Sequence, residues 1–478
     1  MKKLVGILFF LSLSKLILGQ LHADRIKSII QREVANKRSK SIIVGILDPS
    51  GIQTYSAGIL NDSTQQVPDG NTLYDIGSIT KLFTSLLLAD LSLKKKVNLD
   101  DPISKYLPKS IKSLSRNGKE ISLIHLSSHR AGFPRFPFNM DPKNLENPMA
   151  DYSVNDLYYY LNSFELTRDI DSKWQYSNIG YGLLGHILSN VEGKDFENMV
   201  KDQICKPLGM SYTTVSLTPS LKLNKAIGHT EYGKAMIDWT NPNMAGAGSL
   251  YSNVYDLLSF ASAYLSFNKT ELSDAIQLTL IPRGKKDGND GFVTMGWTLW
   301  NENGEDILWK DGGSGGCRSF IGIDRKNKFG VVILSNSDNP VQDIGMHILD
   351  STNQMTPYQY QWELYDTILN TIQTEGLAKG IQIYDSLKSL SQSKFIFNPY
   401  QLNAVGIDLR NSKMIEEAIK IFELNKTEYP NLSLVYESLA ETYKRNGNHK
   451  LAIANYSKLK TMEPQNPRWE WLLKKLSE

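Results

Sequence analysis

Cysteine is nearly missing: two residues, Cys205 and Cys317, in a chain of 478. A chain this long buries a core without cross-links, so a disulfide scaffold is excluded; whether the two pair is left open. Histidine is sparse, seven in all. No Cys/His cluster has metal-ligand spacing, so neither a metal nor a cofactor is expected. His125 and His129 share a segment and are read as structural. A charge excess of one sign is lacking too: 53 Lys and Arg against 50 Asp and Glu leave +3. Without a dense basic stretch there is no footprint for nucleic acid. Long apolar runs are absent except near the start. There Met1-Lys2-Lys3 precedes an apolar stretch from Leu4 to Leu18, interrupted by Lys15. It is short for a membrane span and reads as a secretory signal over residues 1–19, implying export to a periplasm or secretion. No cysteine stands near its end to take a lipid anchor.

What is present is ordinary globular texture, 41% apolar and 10% aromatic, at a length that suits two or three domains. Asp24 to Ala35 reads as a helix. Ser41 to Asp48 reads as a buried strand, and Ile52 to Gly58, after the turn Pro49-Ser50-Gly51, as its hairpin partner. A loop then leads into an apolar helix near Ser78. The Pro- and Asn-rich stretch Phe133 to Asn147 reads as a loop over a cleft. Strands return at Met295 to Trp300, Ile307 to Gly316, Cys317 to Asp324 and Gly330 to Asn336.

Three short patterns carry chemistry. In Gly77-Ser78-Ile79-Thr80-Lys81 one helical turn sets an amine beside a hydroxyl. A lysine surrounded by Leu82, Phe83 and other lysine side chains is pushed towards the neutral form, which takes a proton, because burial and like charge both disfavour the ammonium. Ser12/Lys15, Ser92/Lys95, Ser391/Lys394 and Ser457/Lys460 repeat the spacing, so it decides nothing alone. Trp174-Gln175-Tyr176-Ser177-Asn178 places a phenol and an amide at the entry to the helix beginning Gly180-Tyr181-Gly182. Tyr251/Asn253 and Tyr160/Asn162 match the spacing without those flanks. Lys310-Asp311-Gly312 ends an apolar strand and opens the run Gly312, Gly313, Ser314, Gly315, Gly316, where a substrate strand can lie close. Lys286/Gly288 and Lys328/Gly330 have no such setting.

In this order and with these flanks, Ile42 to Asn336 resembles the serine β-lactamase family, in the branch of class C β-lactamases, D-alanyl-D-alanine carboxypeptidases and related esterases. The resemblance implies an α+β fold: an antiparallel sheet flanked by helices, plus a helical subdomain, over residues 24–345. It implies Ser78 as nucleophile, with Lys81, Tyr176 or both accepting its proton; Tyr176 does so as phenolate, a form favoured by the ammonium groups of Lys81 and Lys310. Asn178 binds Lys81 and the substrate amide. The backbone N–H groups of Ser78 and Gly313 hold the oxyanion, each donor being worth about 3–4 kcal/mol. Gly312, Gly313 and Ser314 line the substrate. Lys310, where many esterase relatives carry histidine, suits a carboxylate. Arg318 is either a second cation for it or a surface arginine. Neither the Ser-Asp-Asn element nor the deacylating glutamate of class A enzymes is found.

A linker over 346–360 is expected, then an all-α region over 361–478. There two segments match at a 34-residue shift: Val405 with Leu439, Gly406 with Ala440, Leu409 with Tyr443, Ala418 with Ala452, Phe422 with Tyr456 and Pro430 with Pro464. They resemble tetratricopeptide repeats, over 399–432 and 433–466, with a weaker unit at 361–394 (Gly380, Tyr384) and a cap from Pro467. The expected function is hydrolysis of β-lactam or D-alanyl peptide amides through an acyl-enzyme on Ser78. The substrate is a small molecule or peptide, and a protein partner is a reading for the repeats. Alternatives are an esterase or D-aminopeptidase on the same scaffold, or a catalytically idle binding protein acting through the repeats.

Overall fold

The computed structural model describes residues 23–60, 63, 65–286, 291–300, 306–390 and 395–478. The expected signal, residues 1–19, lies outside them, as do the last four residues of the 361–394 unit. Contacts divide the chain into one unit ending at Tyr358 and a second beginning at Gln359.

In the first unit a helix over residues 23–35 (α1) leads into β1 (Ser41–Asp48) and β2 (Gly51–Gly58). Six strands come late: β3 (Gly284–Lys285), β4 (Phe292–Val293), β5 (Thr298–Trp300), β6 (Ile307–Ser314), β7 (Cys317–Asp324) and β8 (Phe329–Ser335). Among the described residues they make one antiparallel sheet, β2-β1-β8-β7-β6-β5-β4-β3. β1 pairs with β8 from Ile42↔Ser335 to Leu47↔Gly330, so the early hairpin is stitched to the late strands.

The near-continuous apolar run of β1 follows from cover on both faces. Successive side chains alternate: Ile42, Val44 and Ile46 pack with Ile26 and Ile30 of α1, while Ile43 and Leu47 join the large cluster opposite. That cluster is built around α2 (Thr80–Leu93), a helix buried on every side through Leu82, Phe83, Leu86, Leu87 and Leu91. A helix without a polar face belongs inside. α3 (Asn178–Glu192) and the shorter helices Leu123–Ser127 and Val154–Ser163 form the helical part. α4 (Val254–Tyr264) lies against α2, with Phe260 stacked on Phe83 at 4.6 Å between centroids. α5 (Gln342–Leu349) shares the α1 face through Ile344 and Ile348. The first residues of the expected 346–360 linker therefore belong to a packed helix. The strand expected over Met295 to Trp300 is shortened to β5, because Gly296, at φ +88°, turns the chain before it. Cys205 and Cys317 are both free and buried; burial pushes each thiol up to about 12, so neither is a nucleophile at neutral pH.

The second unit is a run of helical hairpins: α6 (Glu363–Glu375) with α7 (Leu377–Ser389), α8 (Pro399–Asn411) with α9 (Ile415–Glu428), and α10 (Ser433–Arg445) with α11 (His449–Met462). α12 (Pro467–Ser477) follows. α8 starts 34 residues before α10, and α9 the same distance before α11. The matched small and apolar residues are buried: Val405, Leu409, Ala418 and Phe422 in one hairpin, Leu439, Ala440, Ala452 and Tyr456 in the next. A Cβ on Gly406 would overlap the buried Phe422 ring. Alanine gains about 1 kcal/mol of helix propensity, but overpacking costs about 1–3 kcal/mol. Gly406→Ala is therefore expected to destabilise this hairpin, read as faster hydrogen exchange across α8 and α9 in the full chain. No helix among the described residues is long and apolar enough to cross a membrane.

Candidate active site

The two-residue strand Tyr74–Asp75 pairs with Tyr251–Ser252, and the Ile76 N–H donates to the Leu250 carbonyl (3.0 Å). The buried Asp75 carboxylate accepts from the Gly77 N–H (2.9 Å). Burial pushes that carboxyl up to about 7, against its hydrogen bonds to Ser314 and Gly77. A 3₁₀ turn, Gly77–Ile79, then carries Ser78 to the start of α2. Gly77 sits at φ +48°, and a Cβ there would lie 2.7 Å from the Gly313 N and O atoms. Left-handed backbone costs about 1–2 kcal/mol for a residue with a Cβ. The clash with the main chain of β6 adds to it, so Gly77→Ala is expected to lower Tm measurably in a thermal melt.

Lys81, one turn further, is fully buried. Its Nζ donates to Ser78 Oγ (3.0 Å), Asn178 Oδ1 (2.9 Å) and the Ala247 carbonyl (2.5 Å). The carbonyl is placed by the 245–250 loop, which α2 holds through Thr84 Oγ1 to Gly246 O (2.8 Å) and Leu250 N to Thr80 Oγ1 (3.2 Å). Burial, and then the like charges of Lys310 and Arg135, hold the ammonium down to about 8 against the pull of Tyr176.

Tyr176 OH lies 2.5 Å from Ser78 Oγ. The phenol is aimed by its neighbours. Ser177 caps α3, accepting from Gly180 N (3.0 Å) and donating to Pro134 O (2.8 Å). His129 Nδ1 accepts from Ser177 N (3.1 Å), and its ring lies 4.6 Å from that of Tyr176. Asn178 opens α3, and its N–H donates to Arg135 O (2.9 Å). Three cations surround the Tyr176 ring: Lys81 and Lys310 Nζ each at 4.9 Å and the Arg135 guanidinium carbon at 5.4 Å.

β6 supplies the opposite wall. Its pairing with β5 stops at Trp309↔Thr298, and among the described residues no strand pairs the edge from Lys310 to Ser314 on that side. Gly315 and Gly316, at φ +49° and +78°, make the two-residue turn into β7, closed by the Ser314–Cys317 pair. Pairing alternates along the strand, so Gly313 turns its N–H to the open edge, towards the Ser78 turn. Lys310 is 8% exposed; burial lowers its pKa, with Asp311 acting the other way.

Ser78, Lys81, Tyr176, Asn178, Lys310, Gly312, Gly313 and Ser314 are thus brought together. Ser78 lines two cavities. One, of about 240 Å³, also has Tyr176, Lys310, Gly312 and Gly313 in its wall; a smaller one, of about 100 Å³, has Asn178, Gly313 and Ser314. The competing short patterns are used differently: Asn253 caps α4, and Asn162 accepts from Lys112 N (2.8 Å). Arg318, read two ways from sequence, lines the larger cavity and pairs with Asp338 (2.9 Å). Sequence reasoning missed Arg135, the Ala247 carbonyl, and Asp75. Arg135 lies in the loop read as covering a cleft, which was the one available signal. The sequence model of the Beta-lactamase family matches residues 26–350. The chain belongs to the beta-lactamase family.

Its relatives in that family include the D-alanyl-D-alanine-carboxypeptidase/endopeptidase AmpH of Escherichia coli (strain K12). The two are 28% identical over 285 residues, 56% of this chain and 72% of that protein. Protein flp of Staphylococcus aureus (strain MW2) is 25% identical over 363 residues, 72% of this chain and 68% of its own. Among solved structures, a class C beta lactamase from Rhodobacter sphaeroides has a TM-score of 0.60 at 21% identity, covering 68% of this chain and 98% of its own. The octameric penicillin-binding protein homologue from Pyrococcus abyssi has a TM-score of 0.62 at 24% identity, covering 73% and 82%. These two similarities bear on the fold: the antiparallel sheet flanked by helices is that of beta-lactamases. Membership places the chain with serine hydrolases.

Proposed function

We propose that this beta-lactamase family member cleaves β-lactam or D-alanyl peptide amides through an acyl-enzyme on Ser78. The observation that carries the reading is the double contact on one hydroxyl, Lys81 Nζ at 3.0 Å and Tyr176 OH at 2.5 Å. Ser78 Oγ bonds to the substrate carbonyl carbon while its proton passes to Lys81 or Tyr176. The N–H groups of Ser78 and Gly313 receive the oxyanion. The C–N bond then breaks, the returned proton goes to the leaving amine, and water later cleaves the ester. In a β-lactam the amine stays tethered to the acyl group. Asn178 orients Lys81 and the acyl-side amide. Ser314 and Gly312 continue the edge on which the substrate lies.

Lys310 favours an amide with a nearby carboxylate over a neutral ester. A charge-assisted hydrogen bond contributes about 1.5–3 kcal/mol, so Lys310→Gln is expected to raise KM for a D-alanyl-D-alanine peptide about tenfold or more. Steady-state kinetics with p-nitrophenyl acetate alongside checks that the loss follows the carboxylate. The reading as a whole is tested by nitrocefin, D-alanyl peptides and p-nitrophenyl esters on wild type and Ser78→Ala. Ser78-dependent turnover of esters alone would point to an esterase, and of amino-terminal D-residues to a D-aminopeptidase. Absence of all turnover would favour an idle binding protein.

The remaining parts of the reading are export directed by residues 1–19, a hydrolase domain over 24–345, and tetratricopeptide-type repeats over 361–478 with a protein partner. The 34-residue recurrence of helix starts in α8 to α11 supports the repeats.

A further inference from the structure

Two backbone donors must converge on one oxygen if Ser78 and Gly313 are to hold an oxyanion. They come from separate segments, the turn Gly77–Ile79 and the end of β6. The two run close. A Cβ on Gly312 would lie 3.1 Å from Ser78 N, and one on Gly77 would lie 2.7 Å from Gly313 N. Yet among the described residues no strand pairing and no backbone–backbone hydrogen bond joins residues 76–79 to 310–316. Side chains set their alignment.

Two of these side chains hold the Ile76–Gly77 peptide. Ser319 Oγ, on β7, donates to its oxygen, Ile76 O (2.9 Å). Asp75 Oδ1 accepts from its N–H, Gly77 N (2.9 Å). The other carboxyl oxygen faces the second segment: a Cβ on Gly315 would lie 3.8 Å from Asp75 Oδ2, and the Ser314 side chain hydrogen-bonds to the carboxyl. One carboxyl group thus touches the residue before the first oxyanion donor and the residue after the second. Gly77, at φ +48°, is the swivel between the held peptide and Ser78. Asp75 is 7% exposed. The cation that acts on it by charge, Lys225, is itself bound to Asp238 (2.5 Å) and Ala226 O (2.9 Å). A buried carboxyl without a direct countercharge is costly, which argues for a use beyond filling space.

We propose that Asp75 is a positioning residue for the oxyanion donors: its two oxygens bind the nucleophile turn to the end of β6 and so fix the Ser78 and Gly313 N–H groups on one point. The role rests on the reading of Ser78 as the nucleophile. Either protonation state serves. The carboxylate accepts from both partners; the neutral acid accepts from Gly77 and donates to the Ser314 hydroxyl. The effect is on alignment, so it belongs to the transition state and not to substrate binding.

The test titrates the full-length protein calorimetrically with phenylboronic acid. Boron bonds to Ser78 Oγ, the hydroxyl proton passes to Lys81 or Tyr176, and a boron-bound oxygen takes the place of the oxyanion. Asp75→Ala is expected to weaken this adduct about tenfold or more, the scale of a catalytic contact displaced by about 1 Å. With a substrate that turns over, kcat is expected to fall by a like factor while KM stays within about twofold. Asp75→Asn, whose amide accepts from Gly77 and donates to Ser314, is expected to restore most of the affinity. Ser314→Ala cuts the same link from the other side, so Asp75→Ala/Ser314→Ala is expected to be no weaker than the worse single variant. Thermal melts separate loss of fold from loss of alignment. If Asp75→Ala is unfolded at the assay temperature, Ser314→Ala decides: severalfold weaker binding is expected, and wild-type binding overturns the link. A folded Asp75→Ala that binds like wild type, additive losses in the double variant, or Asp75→Asn as weak as Asp75→Ala also overturns it. In each of these cases the wild type still forms the adduct, so the positioning role fails alone. If the wild type binds no better than Ser78→Ala, the nucleophile reading fails and the role falls with it.

Discussion

Ser78→Ala is expected to reduce kcat on the order of 10⁶-fold on whichever amide or β-lactam proves to be the substrate, with the fold intact. The magnitude follows from what the substitution deletes. In the proposed acyl transfer Oγ is the atom that forms the bond, and it is the shared contact of Lys81 at 3.0 Å and Tyr176 at 2.5 Å. Nucleophile and proton acceptor act as a unit, so losing one loses nearly all their joint effect. The corollary is non-additivity: Ser78→Ala/Lys81→Met should be hardly slower than Ser78→Ala alone. What activity remains comes from binding and the oxyanion donors. Steady-state kinetics at saturating substrate check both statements, with circular dichroism to confirm structure.

The second large effect is a pH profile. Lys81 is sealed from solvent, and burial holds its ammonium down to about 8. At pH 7 about a tenth of it is neutral, by the ordinary titration relation. With Lys81 as proton acceptor, the active form is the deprotonated one. log(kcat/KM) is then expected to rise with unit slope from pH 6 towards 8 and to level above it. Lys81→Met should flatten the rise and lower the plateau by several powers of ten. A profile that instead falls as pH passes 8 would give the proton to Tyr176, with the Lys81 ammonium serving as the charge beside the phenolate. The two contacts on Ser78 make these the two outcomes, and the sign of one slope separates them.

How much of this was legible beforehand differs by residue. Ser78 and Lys81 are joined by helical periodicity, which a sequence displays directly. Lys310 to Ser314 could be placed because an apolar strand running into glycines has few other uses. Tyr176 and Asn178 needed their flanks, since Tyr251 and Asn253 have the same spacing but serve a strand and a helix cap. The sheet was readable where strands are long and buried. β3 and β4, two residues each, are set by their neighbours rather than by any apolar pattern. Least legible were groups whose role is set by tertiary approach. The Ala247 carbonyl reaches Lys81 as main chain, so its side chain advertises nothing. Arg135 approaches the Tyr176 ring from a loop with no repeating pattern. Asp75 ties the Gly77 turn to Ser314 at the end of β6, a link that only the fold creates.

The most direct measurement is intact-protein mass spectrometry after acid quench of the wild type with a penicillin, followed by peptide mapping. The account predicts an added mass equal to one whole penicillin, carried by the peptide containing Ser78 and missing from Ser78→Ala. No adduct across a panel of penicillins, D-alanyl peptides and esters, or an adduct that persists in Ser78→Ala, would contradict it.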